Sequence, residues 1–168
     1  MNFFSSPSSA ILAVCTANLC RSPMAEGLLR EELHLRTMNR KVGVMSAGTH
    51  VARRGLAADV RAQRVCAREG IDIRKSRSRQ VTEADFKRFD YILAMDQRNY
   101  QWLCEASPIA YRGRISLLGS WAAGGKIDEI PDPYYGSPDG FEAVLEQLHL
   151  CIDGFLTHFI DQGARVRE

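Results

Sequence analysis

Apolar and polar positions change period repeatedly along the chain. Residues 10–14 form an unbroken apolar run, Ala10-Ile11-Leu12-Ala13-Val14, as a strand buried on both faces requires. Over 23–37 the period becomes helical, with Met24, Leu28, Leu29 and Leu33 on one face. Gly27 lowers helix propensity there but permits close packing. Residues 41–46 return to strand type, and a full helix between two strands predicts parallel pairing. A helix over 57–69 follows, with Val60, Val65 and Cys66 on or near its buried side and Gly70 as terminator. Thr82 and Asp85 frame a capping box for a short helix. A third strand spans 89–94, and Asp96 reads as the cap of a helix running through Trp102 and Cys104 rather than as an acid catalyst. A fourth, short strand is expected over 114–118.

The last periodic segment, 139–160, carries Phe141, Val144, Leu145, Leu148, Ile152, Phe155, Leu156 and Phe159 at helical spacing and should cover one face of the sheet. Strand and helix thus alternate without a repeat. The expected architecture is one small doubly wound α/β domain, its ligand site beyond the carboxyl ends of the strands. The domain is expected over 9–162, after a disordered leader (1–8) and before a polar tail (163–168).

Composition narrows the function classes. The chain has 168 residues, 45% apolar and 25% charged, with a formal net charge of +2. That describes an ordinary globular protein, too near neutral for an extended nucleic-acid or membrane surface. No stretch reaches transmembrane length. The basic run from Arg74 to Arg79 lacks an aromatic platform, so it reads as a solvated loop beside an anion pocket, not as a nucleic-acid site. The Gly-rich stretch 119–125 lacks the lysine of a nucleotide loop. Five cysteines without a Cys-x-x-Cys pair, and four scattered histidines, argue against a zinc centre and for a reducing cytoplasm.

The chemistry concentrates between the first strand and the first helix, in Cys15-Thr16-Ala17-Asn18-Leu19-Cys20-Arg21-Ser22-Pro23. Unpaired amides and partial positive charge at a helix N-terminus make this turn an anion site, and the same field favours a thiolate over a thiol at Cys15. The spacing lets the loop amides of residues 16–20 curl round a tetrahedral oxyanion. Arg21 can then grip two of its oxygens, and Ser22 can donate a hydrogen bond to the sulfur. Pro23 fits because its missing N–H falls in the first turn. Far downstream, Pro131 and Pro133 bracket Asp132 and hold its backbone extended. The bland alternatives are a structural cysteine and a plain turn.

Those nine residues resemble the phosphate loop of the low-molecular-weight protein tyrosine phosphatases, bacterial type. The resemblance extends through Ser46-Ala47-Gly48-Thr49, Arg79-Gln80, Met95-Asp96 and Asp132-Pro133-Tyr134-Tyr135. It implies a four-stranded parallel sheet of order 2-1-3-4. It also implies hydrolysis of protein phosphotyrosine through a phosphocysteine, with Cys15 as nucleophile, Asp132 as general acid and base, Arg21 on the phosphate and Ser22 supporting the sulfur. Thr16, Ala17, Asn18, Leu19 and Cys20 would cradle the substrate, His50 would sit on the pocket rim, and Tyr134 and Tyr135 would flank the phenyl ring. Ser46, Ser76 and Arg79 would support the loop, and Cys20 could form a reversible disulfide with Cys15. No cofactor or metal is implied. The implied partners are phosphotyrosine proteins, in bacteria a tyrosine kinase of exopolysaccharide production, with the enzyme a monomer or weak dimer.

Two positions depart from the family pattern. Ala17 stands where glycine is usual, which brings strain if that residue is left-handed. Ser76 stands where relatives carry a histidine that buttresses the loop asparagine. Two other readings stay open. An arsenate reductase on the same fold needs relay thiols, and 70–99 contains none. A non-catalytic phosphopeptide-binding regulator would not need the full set of nucleophile, arginine, serine and acid.

Overall fold

β1 (Ser9–Cys15) lies inside the sheet, paired in parallel with β2 (Val42–Gly48) on one side and β3 (Tyr91–Ala94) on the other. β4 (Ile115–Leu117) extends the sheet beyond β3, giving the order β2-β1-β3-β4, all parallel. This computed structural model describes residues 9–137 and 139–162, so the expected leader and tail fall outside the described residues. Among the described residues five α-helices flank the sheet: α1 (Arg21–Leu35), α2 (Val60–Arg68), α3 (Glu83–Arg88), α4 (Gln97–Ala106) and α5 (Gly140–Asp161).

The two-residue period of β1 sorts the core into two layers. Ile11, Ala13 and Cys15 join a cluster built from α1, α2 and α5, including Leu28, Cys66, Leu148 and Phe155. Leu12 and Val14 face the other way, against Phe86 of α3 and Leu103 of α4. The apolar face expected of α5 is buried throughout, from Phe141 to Phe159. Being buried on both faces is why β1 reads as a continuous apolar run.

Several boundaries differ from expectation for local reasons. β2 runs on to Gly48, because Ala47 and Gly48 still pair with Val14 and Cys15. A Cβ at Gly48 would stand 2.5 Å from the Thr16 carbonyl oxygen and 3.0 Å from the Asn18 nitrogen, so only glycine lets β2 approach the loop this closely. α2 starts at Val60 rather than 57, since Asp59 caps it by accepting from the Arg61 N–H at 2.8 Å. Val60 is exposed rather than buried. The buried side carries Ala62, Val65 and Cys66, and an offset of two residues lands about 200° round the helix. The capping box of Thr82 and Asp85 forms as expected. β4 is three residues long, because 3₁₀ turns at Ile109–Arg114 and Leu118–Trp121 close on both sides of it. The second turn also orders the start of the glycine-rich stretch. No helix among the described residues is long and apolar enough to cross a membrane.

Candidate active site

β1 delivers Cys15 to the carboxyl edge of the sheet, and α1 begins six residues later at Arg21. The N-cap of α1 is Cys20, which makes no side-chain cap hydrogen bond, and no acid lies in the first turn. Its first amides are therefore left without a side-chain partner at the end of the helix that favours anions. The segment leaving β2 steadies the loop from the side: the Thr49 N–H donates to the Cys15 carbonyl and the His50 N–H to the Thr16 carbonyl, both at 2.9 Å.

The loop turns at Asn18, whose φ of 57° is left-handed. Asparagine tolerates that region better than most residues. Ala17 is not among the residues with positive φ, so the strain considered for it does not arise. The Asn18 side chain is fully used. Nδ2 donates to Ser22 Oγ and Ser46 Oγ, each at 2.9 Å, and Oδ1 accepts the Arg79 N–H at 2.9 Å. Ser76 is not among these partners; its own N–H bonds the Ile73 carbonyl. Arg79 and Ser46 thus do the work considered for Ser76. Arg79 is itself clamped by the Asp85 carboxylate at 2.9 and 3.1 Å.

Hydrogen-bond direction in this network is set at its far end. Glu26, a buried carboxylate one helical turn beyond Ser22, accepts the Ser46 hydroxyl and pairs with Arg30 at 2.6 Å. Because Ser46 spends its hydrogen on Glu26, its lone pair receives Asn18. Ser22 likewise receives Asn18, so its single hydrogen is free for Cys15 Sγ at 3.0 Å or, less well, the Ala47 carbonyl at 3.3 Å.

Arg21 is 2% exposed, and both of its terminal nitrogens are partnered. Nη1 donates to Asp96 Oδ2 at 2.6 Å and to the Ile130 carbonyl at 3.0 Å, while Nη2 reaches Asp132 Oδ2 at 3.2 Å. Burial alone works against its charge, but Cys15, Asp96 and Asp132 outweigh it and hold the guanidinium above its ordinary range. Asp96 serves two masters: Oδ1 caps α4 through the Asn99 N–H at 2.8 Å, and Oδ2 holds Arg21. The capping role was legible in the sequence and the arginine tether was not.

A cavity of about 340 Å³ opens above the loop, lined by Cys15, Thr16, Leu19, Arg21, Asp132 and Tyr134, with Ala17, Cys20 and Tyr135 completing it. Segments distant in sequence converge there: the loop from the first strand–helix junction and the acid segment before α5. Asp132 Oδ1 accepts the Tyr134 N–H at 3.1 Å. The Tyr134 and Tyr135 rings meet edge to face at 4.7 Å, and Tyr135 is 95% exposed. Burial, with Asp59, Cys15 and Asp132 nearby, pushes the Cys20 thiol up to about 12 against the opposing pull of Arg61.

Not every expected residue lines that cavity. His50 faces a neighbouring one of about 210 Å³, shared with Thr16, Arg98, Asn99 and Trp102, and its ring stands 5.8 Å from the Trp102 ring. The basic run is a solvent-exposed loop, as expected, whose arginines are partnered nearby: Arg74 pairs with Asp72, Arg77 with the carbonyls of Arg74 and Ser76, and Arg79 with Asp85 of α3. Cys66 and Cys151 are buried in the core and their thiols pushed up by that burial, so neither reaches the cavity. Among the described residues no group of His, Cys, Asp and Glu is arranged to hold a metal ion. Glu26 and Asp96 were missed as site residues. The spacing Ser22–Glu26, one turn on a single helix face, was the available signal for the first.

Residues 10–165 match the family model described as low molecular weight phosphotyrosine protein phosphatase. A protein of that name from Schizosaccharomyces pombe is 37% identical over 139 residues, covering 82% of this chain and 88% of the relative. The crystal structure of a protein tyrosine phosphatase from Entamoeba histolytica, with Hepes in its active site, superposes with a TM-score of 0.87 at 34% identity, covering 93% of this chain and 99% of the other. Vibrio vulnificus Wzb in complex with benzylphosphonate superposes with a TM-score of 0.78 at 30% identity over 89% of this chain and 98% of that one.

Proposed function

The chain belongs to the low molecular weight phosphotyrosine protein phosphatase family, and from that premise we propose that it hydrolyses aryl phosphate monoesters, chiefly phosphotyrosine on proteins, through Cys15 and Asp132. The observation that carries this reading is the convergence of Cys15, Arg21 and Asp132 on one cavity walled by aromatic rings. The Cys15 thiolate attacks phosphorus in line, the P–O bond to the phenol breaks, and Asp132 gives its proton to the departing oxygen. Water then attacks the phosphocysteine, its proton passes to Asp132, and phosphate leaves with the thiolate restored.

Arg21 contributes by position. Its Nη1 is committed to Asp96 and the Ile130 carbonyl, which leaves Nη2 and Nε for the equatorial oxygens together with the loop amides. Asp132 shares Nη2 before substrate arrives, so a phosphoryl oxygen competes for that donor and releases the carboxyl to the leaving group. Ser22 meets the sulfur at a distance suited to stabilising it as attacking and leaving group. Tyr134 and Tyr135 favour a flat aryl stem, and the benzylphosphonate in the Vibrio relative, an aryl ring carrying a tetrahedral anion, has that shape. Phosphoserine offers a stem too short to bring phosphorus to Cys15.

The substrates are accordingly phosphotyrosine proteins, with a bacterial tyrosine kinase of exopolysaccharide production as the partner to assay first, and a monomer or weak dimer as the working unit. Five free thiols support a cytoplasmic setting. Cys20, beside Cys15 on the cavity wall, is the partner for a protective disulfide after oxidation of Cys15. The deciding experiment measures turnover of phosphotyrosine, phosphoserine and arsenate side by side, with Cys15→Ser as control. Phosphotyrosine alone should turn over, and the variant should lose that activity while keeping its fold. Thiol consumption driven by arsenate would favour the reductase, and retained activity in the variant would remove Cys15 from the mechanism.

A further inference from the structure

We propose that Arg61, a residue of α2 outside the cavity lining, is the positioning residue that holds the Asp132 carboxyl over the Cys15 loop. This inference rests on the phosphatase reading of Asp132. Arg61 divides one guanidinium among several partners. Nε and Nη2 take the two oxygens of Asp59 at 3.0 and 2.8 Å, and Nη1 donates to the Tyr134 carbonyl at 3.1 Å. The same cation lies 5.1 Å from the centre of the Tyr134 ring and 4.7 Å from that of Phe141, in the first turn of α5. It therefore grips the acid segment by backbone and ring together, and reaches the helix that follows.

Both ends of this connection lead to the chemistry. At one end the Asp59 N–H donates to the Leu19 carbonyl at 2.8 Å, which ties the base of α2 to the phosphate loop. At the other, the Tyr134 N–H donates to Asp132 Oδ1 at 3.1 Å. The path Leu19–Asp59–Arg61–Tyr134–Asp132 thus joins the nucleophile loop to the acid through the peptide unit next to that acid. The direct bond from Arg21 to Asp132 cannot do this during turnover, because the phosphoryl group competes for the same Nη2. Arg61 is not part of that competition. Its hold persists when the substrate is in place, which is when the carboxyl needs aiming.

The Arg61 side chain is 42% exposed, and Asp59 keeps its cap on α2 without it, so Arg61→Ala should leave the fold intact. The test compares kcat/KM of the wild type, Arg61→Ala and Asp132→Ala on phenyl phosphate and p-nitrophenyl phosphate. The first leaving group needs a proton, and the second departs readily as an anion. Asp132→Ala should lose about 10²–10⁴-fold on phenyl phosphate. Arg61→Ala should lose part of that, about tenfold, on phenyl phosphate and less than about twofold on p-nitrophenyl phosphate. Equal losses on both substrates, or no loss on either, would overturn the positioning role. Asp59→Asn keeps an acceptor to cap α2 while removing the charge that pins Arg61, and should show the same asymmetry at smaller amplitude. It carries the test alone if Arg61→Ala does not fold, and a symmetric result there overturns the proposal as well. A wild type that hydrolyses neither ester would defeat the phosphatase reading itself, and is read without any variant.

Discussion

Two neighbouring strands each hand the chain to a helix at the same edge of the sheet, and they do it in opposite ways. After β3, two residues suffice: Asp96 turns the chain and accepts the Asn99 N–H of α4, while the Glu129 carboxylate accepts that of Gln97. After β1, five residues intervene, and α1 starts with neither a capping side chain nor an acid in its first turn. The first junction is closed by carboxylates. The second is left electrostatically open, and it is held open by its neighbours: Asn18 bonded to Ser22, Ser46 and Arg79, and Arg21 tethered by Asp96. The closed junction lends its cap to steady the open one. A site that must receive an anion cannot spend its own amides on structure, so its rigidity is imported.

The largest test of this contrast removes the shared link. Arg21→Ala should lower kcat/KM by on the order of 10³-fold, the scale for losing a principal oxyanion donor. It should also cost up to about 3 kcal/mol in urea unfolding, because Asp96, half-buried, would be left without its ion pair. Full stability with lost activity would mean that α4 draws nothing from the arginine. A finer cut is Asp96→Asn. Asparagine caps as well as aspartate but leaves the buried Arg21 without that counter-charge, so stability should fall, by less than in Arg21→Ala, and activity should fall about tenfold. Stability lost with the rate kept would confine Asp96 to a structural role. Smallest is Cys20→Ser, which gives α1 the kind of cap that α4 has. Up to about 1 kcal/mol of added stability and a few-fold weaker vanadate inhibition are expected. The same variant removes the proposed Cys15–Cys20 disulfide, so peroxide inactivation should become harder to reverse with thiol. Unchanged recovery would show that Cys20 only packs.

Legibility in the sequence divided along similar lines. β1 was plain because burial on both faces makes it an unbroken apolar run, and α1 and α5 because apolar residues recur along each at helical spacing. The Cys15–Arg21 loop was plain because its chemistry is contiguous, and the sheet order came with the family resemblance rather than from periodicity. The ends of β2 and α2 were misplaced because pairing and capping partners, not propensity, decide where an element stops. Glu26, Asp96 as a tether, and Arg61 were hidden for one reason. Each acts through a partner distant in the chain or through a third residue, and a single sequence does not display such contacts. His50 shows the converse: its neighbour Thr49 bonds the loop, yet its own ring turns toward Trp102.

The cysteine sulfur sits on the first strand, while the cluster it shares is floored by Leu148, Ile152 and Phe155 of the final helix. On the ribosome Cys15 is therefore exposed long before its supporting layer has been made. Until α5 docks, the loop has no firm base from which to gather its amides. Synthesis order alone should keep the nascent chain inert toward phosphoproteins until that layer is in place.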